Sequence, residues 1–224
     1  MGVNHLVDVR NQSLAALKPL LTEWVAVIRH YIERVDGDLP FWHAERPQVG
    51  FLSAAVWRLG GAALEEFGTK KVLDGEDYSG RNDLWFILDG LKVWVEAKFL
   101  FLDIDDERET DLGRVNAAIK AANDNAAVLN RNDEEAVGIV FVSPIWRPSR
   151  SRGVASIDLI AAESALRKWE KEASAIPADA LAGVSVTPVA DYPTPKDKAL
   201  FLGTWMFIKL LPSCSKTDAE SLKK

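Results

Sequence analysis

An Asp-Gly pair between two apolar runs is the feature that most constrains how this chain can fold. Residues 80–99 read GRNDLWFILDGLKVWVEAKF, with Asp89-Gly90 between LWFIL and LKVWV. A two-residue Asp-Gly loop between such runs is typical of a tight β-hairpin, and the turn fixes the strand register. Four pairs of residues then become direct cross-strand partners: Leu88 with Leu91, Phe86 with Val93, Trp85 with Trp94, and Asp83 with Glu96.

This register places charged and aromatic side chains on one face of the hairpin. Opposed residues share a face, as do alternate residues along a strand, so Asp83 and Glu96 lie with Lys98, Trp85 and Trp94. Two opposed carboxylates destabilise a strand pair unless they are exposed, share a proton or bind a cation. The neighbouring tryptophans make full exposure unfavourable. A divalent cation such as Mg²⁺, held by one or two carboxylates with waters and phosphate, fits this arrangement.

The periodicity of the remaining segments predicts an α/β fold around the hairpin. Apolar residues at helical spacing predict a helix from about Ser13 to Arg34, and ERPQVGFLSAAVWRLGG predicts a second helix that ends at Gly60-Gly61. We interpret ALEEFGTKKVL as a strand, with a helix running on to Gly68 as the alternative. The chain continues as helix, strand, helix and two strands: DERETDLGRVNAAIKAANDNAAVLN, AVGIVFVSP, SIDLIAAESALRKWEKEAS, GVSVTPVA and LGTWMFIKLL. This order predicts a mixed central sheet flanked by helices.

Composition indicates a globular protein of a reducing compartment. The chain has 224 residues, of which 48% are hydrophobic and 27% charged, which suits one main domain. Its single cysteine, Cys214, excludes an internal disulfide and a cysteine-based zinc site. We find no signal-peptide core and no apolar run of membrane-spanning length, so we expect a cytoplasmic protein without membrane association. The net charge of −6 disfavours a broad surface for nucleic acid but is compatible with a local basic groove.

The hairpin resembles the motif of the PD-(D/E)xK nuclease superfamily. Asp83, followed by a strand, a turn and Glu96-Ala97-Lys98, is similar to the acidic residue and the (D/E)xK tripeptide of that family. The segments GRNDLWF and VWVEAK also look like the family, and the elements predicted from Pro47 to Val142 reproduce its α-β-β-β-α-β core order. Asn82 stands where the family pattern has a proline, at a position that varies. The resemblance covers roughly the middle half of the chain and implies a restriction-endonuclease-like fold, here preceded by an N-terminal helix.

The resemblance also implies a Mg²⁺ site, in which Mn²⁺ would substitute. Asp83 and Glu96 would ligate the metal with the Ala97 carbonyl, and Lys98 would orient or activate the attacking water. The family usually adds an acidic residue from its first core helix. Two glutamates are candidates for that role, and the sequence does not decide between them: Glu45 at the start of the second helix and Glu66 on the first strand of the core.

Basic residues near the predicted strand ends are candidate contacts to the phosphates of a nucleic acid. Arginine suits bidentate phosphate contacts. The candidates are Arg147, Arg150 and Arg152 in the loop RPSRSRG, together with Lys70, Lys71 and Arg81. A solvated basic loop is the alternative, and the acidic segment DIDDERETD disfavours a DNA groove beside it.

The sequence therefore predicts a metal-dependent DNA endo- or exonuclease. Its nuclease-like domain would span residues 41–212, with a helical extension over 1–40 packed on it and a flexible tail over 213–224. We expect DNA and a second copy of the chain, in a homodimer, as partners. One alternative is a catalytically inactive nuclease-like module for binding or assembly, which the acidic net charge favours. Another is an ordinary α/β protein whose hairpin charges form surface salt bridges.

Overall fold

The chain folds as an α/β protein in which one mixed β-sheet lies between two pairs of α-helices. The computed structural model describes residues 2–35, 38–73, 76–105, 110–129, 134–147, 158–189 and 199–211. The helices are α1 (Lys18–Arg34), α2 (Glu45–Arg58), α3 (Leu112–Ala127) and α4 (Leu159–Ser174), with 3₁₀ turns at Gln12–Leu17 and Pro40–Trp42. The strands are β1 (Val3–Val9), β2 (Ala62–Leu73), β3 (Glu76–Leu88), β4 (Leu91–Ile104), β5 (Glu135–Trp146), β6 (Ala180–Val186), β7 (Leu200–Phe201) and β8 (Gly203–Leu210).

The strand order is β1-β6-β8-β5-β4-β3-β2, and the short β7 pairs with β5. Strands β4 and β5, which α3 connects, run parallel, whereas the hairpins β2–β3 and β3–β4 are antiparallel. The prediction of a mixed sheet flanked by helices is confirmed. None of the helices within the described ranges is long and apolar enough to cross a membrane.

Each face of the sheet is covered by its own hydrophobic core. Val95 and Ala97 of β4 pack with α1 and α2, and we call this side the α1–α2 face. Leu102 and Ile104 of the same strand pack with α3 and α4 on the α3–α4 face. The continuous apolar run of β5 is buried on both faces, as expected for a central strand.

The predicted hairpin forms with the predicted register over most of its length. Asp89 and Gly90 have φ of 50° and 82°, as a tight turn of this kind requires. The ladder then runs from Leu88 opposite Leu91 to Leu84 opposite Val95. The expected pairing of Asp83 with Glu96 lies beyond the end of this ladder.

An N-terminal strand is present that the sequence pattern does not predict. Strand β1 pairs with β6 along its whole length, from Val3 opposite Val186 to Val9 opposite Ala180. It forms an outer strand of the sheet ahead of the predicted helix, so the N-terminal segment contributes to the sheet as well as to the helical layer. The tail predicted over residues 213–224 lies outside the described residues.

Candidate functional site

Strands β3 and β4 separate at Asp83, and this separation opens one edge of β4. Strand β4 continues beside β5 to Ile104, although its ladder with β3 ends at Val95. Asp83 itself bridges the gap, because its Oδ2 accepts a 2.7 Å hydrogen bond from the backbone N–H of Ala97. The Asp83 carboxylate therefore accepts the hydrogen bond of a β4 N–H group that would otherwise be available to a β3 carbonyl.

Glu45 approaches the same opened edge from helix α2. It is the first residue of α2, and its carboxyl group lies close enough to Asp83 and to the backbone of Phe99 for both to influence its pKa, after burial, which is the largest cause. Ala97 and Phe99 are two residues apart, so their N–H groups point to the same side of the strand. The Asp83 carboxylate thus binds one N–H group of this edge, and the Glu45 carboxyl group lies near the next one. Neither Glu45 nor Asp83 has a salt bridge among the described residues.

Lys98 and Glu96 belong to the strand that carries these two N–H groups. Since Val95 and Ala97 face α1 and α2, alternation directs Glu96 and Lys98 toward the opposite side of the sheet. The Lys98 ammonium donates a 2.8 Å hydrogen bond to the backbone carbonyl of Ala97. The strand therefore carries Glu96, the Ala97 carbonyl and Lys98 on consecutive residues beside Asp83, and the Lys98 ammonium binds the Ala97 carbonyl directly.

Burial and like charges raise the pKa of two glutamates at this site. For Glu45 the largest cause is desolvation, followed by the negative charge of Asp83, while the positive charge of Lys98 acts in the opposite direction. For Glu96 desolvation is again the largest cause, the Lys71 hydrogen bond opposes it, and Asp83 adds a further upward contribution. Both carboxyl groups consequently bind a proton more readily than an exposed glutamate does.

A buried ion pair holds Glu96 in the described structure. Its Oε1 lies 2.7 Å from the Lys71 ammonium, and the two residues are only 2% and 9% exposed. The sequence makes Lys71, with Lys70 and Arg81, a candidate contact to phosphate. The structure instead turns the Lys71 ammonium inward onto Glu96, while Lys70 is exposed.

A left-handed residue in β2 determines where Lys71 points. Leu64 lies opposite Trp85, which lies opposite Trp94, so Leu64 shares the face of Trp94. Phe67 is three residues further along, yet its ring also packs against Trp94, with 5.6 Å between ring centroids. The alternation is broken at Glu66, which has φ of 48°. Lys71 follows Phe67 at an even spacing and so reaches the face of Glu96.

Glu66, the second candidate for the additional acidic residue, is engaged by two arginines. Its carboxylate lies 2.5 Å from Arg46 Nε of α2 and 3.5 Å from Arg81 Nη1 of β3. Its charge still contributes to the raised pKa of Glu45. Glu66 lies on the predicted strand, whereas Glu45 is the glutamate whose pKa is affected, after burial, by the charges of Asp83 and Lys98.

The predicted basic loop is described only at its first residue. Arg147 forms an ion pair with Asp103, which lies at the start of the acidic segment. Arg150 and Arg152 lie outside the described residues. The structure therefore joins the basic and acidic segments at this point.

Two residues near the site were not singled out correctly from the sequence. Lys71 had no sequence signal for its inward direction, since that depends on the backbone at Glu66. Asn82, noted only as a departure from the family motif, is fully buried, and its two amide atoms have no hydrogen-bond partner among the described residues. An unpaired buried amide costs about 1–3 kcal/mol of folding free energy. A polar residue directly before Asp83 is therefore a sequence signal for a functional position.

The donor atoms at this site are of the type that Mg²⁺ prefers. Asp83, Glu96 and the Ala97 carbonyl offer hard oxygen ligands, and the amide of Asn82 adds an unpaired oxygen next to Asp83 in the chain. Within the described ranges, no group of three or more His, Cys, Asp or Glu side chains is arranged to hold a metal ion. Lysine ammonium groups already bind two of the oxygens, those of Glu96 and Ala97. The chemistry of the donors fits a divalent cation, and binding it requires these ammonium groups to move.

Comparisons of this chain with protein-family models, with curated proteins and with solved structures give no match.

Proposed function

We propose that this chain is a Mg²⁺-dependent phosphodiesterase of the PD-(D/E)xK type, with a restriction-endonuclease-like core, that cleaves DNA. The observation that carries the proposal is the opened edge of β4. There Asp83 accepts a hydrogen bond from the backbone N–H of Ala97, on the strand that supplies Glu96 and Lys98. Glu45 lies near enough to Asp83 and Lys98 for their charges to affect its pKa, which burial raises most. The order α2-β2-β3-β4-α3-β5, with β4 parallel to β5, supports the proposed core.

Each residue has a role that follows from its position. Asp83, Glu96 and the Ala97 carbonyl would hold the metal. When bound, Mg²⁺ supplies charge stabilisation at the phosphoryl oxygens and lowers the pKa of a coordinated water. Lys98 would orient that water or contact a phosphate oxygen. Glu45, whose pKa is raised by burial and by Asp83, is suited to accept a proton from the water.

DNA cleavage by the purified protein tests this proposal. Supercoiled plasmid and single-stranded DNA would be incubated with Mg²⁺ or Mn²⁺ and the wild-type chain, Asp83→Asn or Lys98→Met. Asparagine can still accept the Ala97 hydrogen bond, so Asp83→Asn removes the charge with little loss of structure. Lys92→Met is the matched control, since Lys92 lies on the same strand but is half exposed and pairs with Glu134.

We expect cleavage by the wild-type chain and Lys92→Met, and at least a roughly hundredfold loss in the two site variants, as for removal of a group that stabilises or activates the reacting atoms. Absence of cleavage by the wild-type chain, or equal cleavage by all four proteins, would contradict the proposal.

The Lys71–Glu96 ion pair favours a second candidate, a nuclease-like module that does not catalyse. In such a module Lys71 would permanently take the place of a divalent cation beside Glu96. Thermal unfolding with and without about 5–10 mM Mg²⁺ or Mn²⁺ separates the nuclease from the module. A ligand that binds only the folded state raises the melting temperature by mass action. An unchanged melting temperature would favour the module.

A further inference from the structure

The Lys71–Glu96 pair places a permanent cation on a proposed metal ligand. The ammonium lies 2.7 Å from Glu96 Oε1, and both residues are almost completely buried. A dication bound to the same carboxylate would lie within a few ångströms of a like charge. At such separations the repulsion is large even with substantial dielectric screening. Lys71 and a divalent metal therefore cannot occupy Glu96 together without strong repulsion.

Two backbone features direct Lys71 to this position. The left-handed conformation at Glu66 sends the Lys71 side chain to the face of Glu96. Gly80, on the neighbouring strand, then leaves a channel for its methylene groups. A Cβ atom at position 80 would lie 2.7 Å from Lys71 Cδ and 2.9 Å from its Cγ. The contact thus depends on an unusual φ angle in one strand and a missing side chain in the next.

We propose that Lys71 is a positioning residue that acts as a displaceable counter-ion: it holds Glu96 in the metal-free protein and competes with a divalent cation for the same carboxylate. This inference rests on the proposed function, because it takes Glu96 as a metal ligand. Metal binding would require the ammonium to withdraw from Glu96. The side chain lies on β2, the last strand in the sheet order, so the withdrawn ammonium could reach solvent or a phosphate at this edge of the sheet.

Mn²⁺ binding measures this competition directly. Mn²⁺ would be titrated into the wild-type chain, Lys71→Met and the control Lys92→Met, and free Mn²⁺ would be followed by electron paramagnetic resonance. Methionine keeps the apolar stem and removes the charge. We expect Lys71→Met to bind Mn²⁺ at least roughly tenfold more tightly, since a unit charge near the dication is removed. Lys92→Met should bind like the wild-type chain.

Chemical labelling of lysine amines provides a second measurement, read by mass spectrometry. Lys71 should react slowly in the metal-free wild-type chain and faster once Mn²⁺ is added, whereas Lys92 should react alike in both states. Gly80→Ala is the variant to use if Lys71→Met fails to fold. It retains the lysine but obstructs the channel that holds its methylene groups. In Gly80→Ala we expect rapid labelling of Lys71 without metal and tighter Mn²⁺ binding.

The outcomes separate this inference from the proposed function. If neither the wild-type chain nor the variants bind Mn²⁺, both proposals are overturned. If the wild-type chain binds Mn²⁺ but Lys71→Met or Gly80→Ala binds it no more tightly, and Lys71 labelling does not rise with metal, the counter-ion role alone is overturned.

Discussion

Removing the charge of Lys71 should destabilise the folded protein substantially at neutral pH. Lys71→Met leaves Glu96, only 2% exposed, without its partner at 2.7 Å. Loss of one member of a buried ion pair typically costs about 3–5 kcal/mol, because the other charge stays buried and unpaired. For a domain of this size each kcal/mol corresponds to about 2–4 °C, so the melting temperature should fall by roughly 6–20 °C.

The pH dependence of this loss has a definite sign. Burial already raises the pKa of Glu96, and the Lys71 hydrogen bond and charge oppose the rise. In Lys71→Met these opposing contributions disappear, so the folded-state pKa rises further above the unfolded value of about 4.3. The folded variant then holds a proton that the unfolded chain releases, and its stability falls as pH rises through that interval. The deficit relative to the wild-type chain should be smaller at pH 5 than at pH 8.

Urea unfolding at pH 5 and pH 8, followed by fluorescence of the eight tryptophans, measures both effects. The double variant Lys71→Met/Glu96→Leu replaces the pair by apolar side chains and should recover most of the loss, since such replacements are often neutral or stabilising. A deficit below about 1 kcal/mol at pH 8 would refute this account of a buried ion pair. A deficit that grows on acidification, or losses that simply add in the double variant, would refute it as well.

Two further predictions concern a carboxylate and a glycine of the same region. Glu45→Gln removes a half-buried negative charge beside Asp83 and Glu66; since solvent screens part of this charge, we expect a gain of about 0.5–1 kcal/mol at pH 8. That gain should shrink as pH falls, because protonation of Glu45 relieves the same repulsion in the wild-type chain, and a gain independent of pH in urea unfolding would contradict this cause. Gly138→Ala would bring a Cβ within 2.2 Å of Asn123 Oδ1 and 2.7 Å of its backbone nitrogen, for a loss of about 1–3 kcal/mol. Gly68→Ala is the control, since nothing lies within 4 Å of its Cβ position, and equal stability of the two variants would show that the contact is easily relieved.

The hairpin was predictable because several local signals agree. The Asp-Gly turn sets a register, and the alternation of apolar residues in β3 and β4 supports the same register as far as Leu84 and Val95. The end of α2 was predictable for a similar reason, because Gly60 supplies the positive φ of 83° that closes the helix. Such features depend on neighbours in the chain, which a sequence displays directly.

The arrangement at Asp83 was less predictable because it depends on a competition between side chain and backbone. A register rule assumes that backbone carbonyls bind the N–H groups of the partner strand. At this level the carboxylate of Asp83 binds the N–H group of Ala97 instead. The motif could indicate that Asp83 and the Glu96-Ala97-Lys98 segment lie close together. The register of the hairpin could not indicate that the Asp83 side chain would lie between the two strands.

Strand β1 depends on a partner distant in the sequence. Its residues read VNHLVDV, a weak alternation in which Leu6 packs on one core while Val3 and Val7 pack on the other. The strand is stabilised by pairing with β6, which begins at Ala180. A short outer strand of this kind has little local signature, so its assignment requires the tertiary fold.

The left-handed backbone at Glu66 has an evolutionary consequence. The faces of Phe67 and Lys71 are set by this φ angle, so a change of conformation there would turn both side chains to the opposite face of the sheet. A lineage can therefore gain or lose the cation beside Glu96 while Lys71 and Glu96 themselves stay the same. Substitutions at position 66, and insertions or deletions of a single residue between it and Lys71, are the changes that would mark such an event among descendants of this chain.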